Sequence, residues 1–88
     1  MSGLSLEQRL AQRGLLADMA LVARRHHATL SEILGRQRYR RIVLARHAAW
    51  RDLRERGMSY PDIAWFWGVH HTTVLAACQK PAAEEVQQ

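Results

Sequence analysis

Helix-start and helix-stop residues cut this chain into short helical pieces, and no other signal constrains its fold as tightly. Ser5 with Gln8, and Thr29 with Glu32, each have the spacing of a capping box: a hydroxyl at the helix entry and Gln or Glu three residues on. Ser59 is a third cap, with Pro61 in the first turn, where a missing N–H costs nothing. Gly14, Gly35, Gly57 and Gly68 stand where the helices so opened would stop. The pattern predicts helices over about 6–13 and 15–27, one turn in LSEILG, a long helix over about 38–56, and a fifth in PDIAWFW. A last helix is predicted from His70 or His71 to before Pro81, and the tail AAEEVQQ is expected to fray. Strand punctuation is missing. The expected fold class is all-α, a compact bundle of about six helices.

Leu15, Met19, Val22 and Ala23 repeat at helical spacing, as do Ile42, Ala45, Ala49, Trp50 and Leu53, so these are the expected core stripes. With 88 residues, 48% of them hydrophobic, there is enough apolar material for one domain and no more. One cysteine, Cys78, excludes an internal disulfide and fits a reducing compartment. In an apolar helical run it reads as a small buried hydrophobe. No apolar run approaches the roughly 20 residues that cross a membrane, and Glu7 interrupts what would be a signal peptide. A cytoplasmic protein is expected.

Charge narrows the choice of partner. The net charge is +5, and of thirteen basic residues all but Lys80 are arginine. Either this is a solvated surface from an arginine-rich genome, or it meets a polyanion, because guanidinium matches phosphate with a planar fork. Arg36, Arg38, Arg40 and Arg41 form the densest run, with no acid between Glu32 and Asp52. Arg51, Arg54 and Arg56 lie beside Asp52 and Glu55 and read as ordinary surface pairs.

The segment from Tyr60 to Ala77 reads as two helices and a tight turn. Ala64 is small enough for close helix crossing, Gly68 follows at +4, and Val74 faces back at +10, which is the spacing of a helix-turn-helix. In that motif the start of the second helix meets base edges in the major groove. Here it carries His70, His71, Thr72 and Thr73. Threonine donates or accepts at any base and packs its methyl on thymine, and histidine donates to purine acceptors. The alternative is that the same residues only cap the helix.

Other chemistries find little support. His26–His27 and His70–His71 are adjacent pairs whose side chains diverge by about 100° on a helix, and no H-x-x-x-H occurs, so no metal is expected. No carboxylate stands beside a histidine in an acid–base pattern, so no catalytic residue, cofactor or small-molecule substrate is expected. Trp65 and Trp67 cannot share one helix face. They either fill the core or form, in part, a surface for a partner protein or a second copy.

GVHHTTVLAACQK resembles the end of the DNA-binding domain of the bacterial replication initiator DnaA, whose motif reads roughly GGRDHTTVLHACRK. SEILGRQRYRRIVLARHAAW is similar to that family's basic loop and following long helix, and SYPDI to its S-L-P-E-I. The likeness covers about residues 17–80 with two small gaps. It implies the DnaA domain IV fold, of the TrpR-like class, and a double-stranded DNA partner with DnaA-box-like sites. It also implies that His71, Thr72 and Thr73 meet bases and phosphates. Arg36, Arg38 and Arg40 would be its basic loop, on the backbone and minor groove, and Arg46 the arginine of its P-R-Q. Val69 and His70 stand where the family has Arg and Asp, Leu44 where some members have a minor-groove Arg, and Ala45 where it has Pro; the turn is one residue shorter. The resemblance therefore carries DNA binding further than it carries the box sequence.

The organisation expected is an extra N-terminal helix in 1–14, a DnaA-like domain in 15–80 and a polar tail in 81–88. No P-loop occurs in these residues, so ATP-driven origin melting is not expected of them. The expected function is sequence-specific DNA binding by a nucleoid-associated regulator of replication or transcription. His70, His71, Thr72 and Thr73 would read bases, and Arg36, Arg38, Arg40, Arg41 and Arg46 would hold the backbone. The alternatives are an adaptor that keeps the fold and docks a protein on Trp65 or Trp67, and a non-specific nucleic-acid binder.

Overall fold

The computed structural model describes residues 5–79, and all of the regular structure in them is helical. Six helices follow in order: α1 (Leu6–Gln12), α2 (Leu16–Arg25), α3 (Leu30–Leu34), α4 (Arg40–Glu55), α5 (Tyr60–Trp67) and α6 (His71–Gln79). The helices fall into two compact units that meet within α4, one ending at Arg46 and the other beginning at His47. The expected tail, 81–88, lies outside the described residues.

In the first unit both capping boxes form. Ser5 Oγ accepts from the Gln8 amide at 3.1 Å while the Gln8 side chain accepts from the Ser5 amide at 2.9 Å. Thr29 and Glu32 repeat the arrangement at the head of α3, at 3.1 and 2.9 Å. α1 packs on α2 and α2 on α3, with Leu10, Met19, Val22, Ala23 and Ile33 buried. The N-terminal helix thus braces α2 through Leu10. α2 ends at Arg25, two residues before the stop expected from sequence, because His27 takes the left-handed conformation at φ 60° that a glycine would have signalled.

In the second unit Ser59 caps α5 as expected, its hydroxyl accepting from the Asp62 amide at 3.2 Å. Gly68 ends α5 in the left-handed region. Ile63, Ala64, Phe66, Val74 and Ala77 are buried where α5 packs on α6. Trp50 and Leu53 from α4 are buried too, and Trp50 meets Trp67 edge to face with centroids 6.0 Å apart. Arg51 donates to the Ala77 carbonyl at 3.3 Å, tying α4 to the end of α6.

Candidate nucleic-acid interface

The second unit presents the head of α6. His71, Thr72, Thr73, Ala76 and Gln79 are exposed, while Val74 and Ala77 are buried and Leu75 and Cys78 are half-buried. Thr72, Thr73, Ala76 and Gln79 fall at i, i+1, i+4 and i+7, one stripe of a helix, with His71 beside its start. Sequence reading singled out residues 70–73; the burial pattern shows that Ala76 and Gln79 are exposed on the same helix. Their signal was present in the spacing of Val74 and Ala77, since a helix buried at those two positions must expose the ones opposite.

The four residues at the head of α6 differ in how they are held. His70 is the cap: its Nδ1 accepts from the Thr72 amide at 3.2 Å and lies 2.7 Å from Thr72 Oγ1. The His70 and His71 rings stack, with centroids 4.4 Å apart. The Thr72 hydroxyl is therefore occupied within the protein, whereas the Thr73 hydroxyl has no hydrogen-bond partner among the described residues. Of the two alternatives the sequence left open, capping falls to His70, and the Thr73 hydroxyl is left unengaged. The Cys78 thiol is half-buried rather than buried, and desolvation pushes its pKa up against the opposing pull of Arg51 and Arg54. A raised thiol pKa leaves little thiolate for nucleophilic chemistry.

The first unit presents the basic run. Arg36 and Arg38 are exposed on the segment between α3 and α4 and have no hydrogen-bond or ion-pair partner among the described residues. Tyr39, 70% exposed, stands between Arg38 and Arg40 and was not singled out by sequence. Arg40 is exposed at the start of α4. The remaining two arginines bond to groups of the protein itself, Arg41 while exposed and Arg46 while half-buried. Arg41 donates to the His27 carbonyl and pairs with the Glu32 carboxylate at 3.4 Å. Arg46, half-buried, directs its guanidinium at backbone carbonyls of α3 and of the segment after it. Sequence reading expected both on DNA.

Of the arginines read as surface pairs, Arg56 bridges Asp52 at 2.8 Å. Arg54 instead donates to the Met58 carbonyl at 3.3 Å and covers the Tyr60 ring at 4.7 Å. Of the two tryptophans offered as a partner surface, only Trp65 is available, 61% exposed; Trp67 is 8% exposed and buried beside Trp50. Helical periodicity puts residues two apart on opposite sides, so burying Trp67 turns Trp65 outward. The other exposed large apolar side chains of the described residues, Leu21 and Tyr39, belong to the first unit, so Trp65 has no large apolar neighbour exposed in its own. Among the described residues no three His, Cys, Asp or Glu side chains gather as a metal site, and no helix is long and apolar enough to cross a membrane.

Two helices joined through a left-handed glycine, with a small residue at their crossing and short hydrogen-bonding side chains at the head of the second, define a helix-turn-helix domain. Residues 19–80 match the family described as bacterial dnaA protein helix-turn-helix, and the chain belongs to that family. The family is one of DNA-binding helix-turn-helix domains, and binding of double-stranded DNA is what membership carries. No curated protein and no solved structure matches the chain.

Proposed function

We propose that this domain reads specific double-stranded DNA sequences, with DnaA-box-like sites as the first candidates, and acts in the cytoplasm, at the nucleoid, as a regulator of replication initiation or transcription. The observation that carries the reading is the exposed stripe of α6, headed by Thr73 with its hydroxyl unengaged. Thr73, His71 and Thr72 would meet base edges, Thr72 after releasing its contact with His70, and His70 would act first as the cap. Arg36, Arg38 and Arg40, supported by the Tyr39 hydroxyl, would hold phosphates, and the net charge of +5 suits a polyanion. No P-loop lies in these residues, so the activity proposed for them is site occupancy or competition, not nucleotide-driven melting.

Fluorescence anisotropy on a DnaA-box duplex and a randomised duplex, each with rising salt, tests this. Thr73→Ala should cost specific binding about 1–3 kcal/mol and leave random binding nearly unchanged. Arg36→Ala should weaken both and lower the salt slope by about one. Equal losses on both duplexes for Thr73→Ala would remove the base-reading role. If neither duplex binds at low salt, the alternative is a protein adaptor docking on Trp65, whose 61% exposure is the observation in its favour.

A further inference from the structure

The segment from Gly35 to Tyr39 joins α3 to α4 without helix or strand of its own, and it carries Arg36 and Arg38. One side chain ties its middle to the end of α3. Arg46, from the second turn of α4, donates through Nε to the Ile33 carbonyl at 2.9 Å. Its Nη2 donates to the Glu32 carbonyl at 3.3 Å and to the Gln37 carbonyl at 3.1 Å. The last turn of α3 and the middle of the loop are thus gathered on one planar group. Arg41, five residues earlier on α4, adds a bond to the Glu32 carboxylate. Arg41 and Arg46 therefore bond to the protein's own carbonyls and carboxylate, while Arg36 and Arg38 are exposed on the loop so held. A loop without this clasp would lose backbone freedom at each residue on meeting DNA, and that loss would weaken binding.

We infer that Arg46 is a positioning residue for DNA binding: it fixes the α3–α4 loop so that Arg36 and Arg38 arrive at the phosphates already ordered, and it does not contact phosphate itself. The inference rests on the DNA-binding role proposed above. Lysine separates the two roles for Arg46. An ammonium still binds phosphate as a point charge, but it cannot present a fork of planar donors to three carbonyls.

The test combines anisotropy with NMR relaxation on the full chain, with circular dichroism as the check of folding. Arg46→Lys should lower the backbone order parameters of residues 35–39, leave those of α5 and α6 unchanged, and weaken duplex binding about tenfold, the size of one charge-assisted hydrogen bond. In an Arg36→Ala, Arg38→Ala background the same substitution should add no further loss. An Arg46→Lys variant that binds like the parent, or a loss that recurs in full in that background, overturns the inference. If Arg46→Lys does not fold, the parent chain still decides. Its Arg46 Nε–H signal should stay slow to exchange and nearly unshifted when duplex is added, and a large shift on adding DNA would place the group on phosphate. If the parent binds no duplex, the DNA reading fails. The clasp is then judged on the order parameters alone, and an unchanged loop would overturn it.

Discussion

The amide of Val69 donates to the carbonyl of Ala64 across 3.0 Å, closing α5 around Gly68, which holds φ 68° and ψ 35°. This 6→1 bond satisfies a carbonyl left over at the helix end and sets the turn that leads to α6. No atom lies within 4 Å of where a Cβ on Gly68 would stand, so any cost of a side chain there is conformational and not steric. Gly68→Ala should lower stability by about 1–2 kcal/mol, and Gly68→Asn by less, since asparagine tolerates the left-handed region. Chemical denaturation of the two variants measures this, and equal costs would mean that tolerance of the left-handed region does not set the cost at this turn.

A histidine in place of the usual Ser, Thr, Asp or Asn caps α6, through the bond from the Thr72 amide to Nδ1 of His70. His70→Ala should cost about 1 kcal/mol of stability, and His70→Ser should recover most of it. If the serine variant is no more stable than the alanine variant in thermal melts, the ring contributes by its stacking on His71 and not as a cap.

Glu32 links two helices by charge. Its carboxyl is held below its ordinary value of 4.5 chiefly by the backbone hydrogen bond from Thr29, with Arg41 adding to it. A folded-state pKa below the unfolded one stabilises the fold above the unfolded pKa, and that stability is lost as pH falls through the folded value. Thermal melts of the parent should therefore weaken as pH drops from neutral through and below 4.5, and Glu32→Gln should flatten that dependence. A Glu32→Gln variant with an undiminished slope would show that other carboxylates set the acid response.

Ala76 lies one helical turn beyond Thr72 on the exposed stripe of α6. That turn advances about 6 Å along the helix axis, roughly two base steps. A methyl group there suits a thymine methyl, whereas arginine would seek the two acceptors of guanine. Ala76→Arg should shift the preferred base toward guanine at one position by about 1–3 kcal/mol, read by selection from a random duplex library. An unchanged preference at every position would mean that α6 reads with its first turn alone.

Helix order, capping residues and the turn at Gly68 were legible in the sequence because each depends on contacts within three to five residues. Ser5, Thr29 and Ser59 act on amides of their own helices, and Ala64, Gly68 and Val74 mark a crossing by size and spacing alone. The end of α2 was not legible, because His27 adopts a conformation that its type seldom signals. Tertiary structure alone decided which arginines are bonded within the protein. Arg36, Arg38, Arg41 and Arg46 are chemically identical in the sequence, yet Arg46 lies near carbonyls thirteen residues back and Arg41 near a carboxylate nine residues back. Charge reads from composition, but what a charge faces depends on packing between residues distant in the chain. The same holds for the tryptophans: periodicity showed that Trp65 and Trp67 must part, and only the place of Trp50 in the core determined that Trp67 is the one buried.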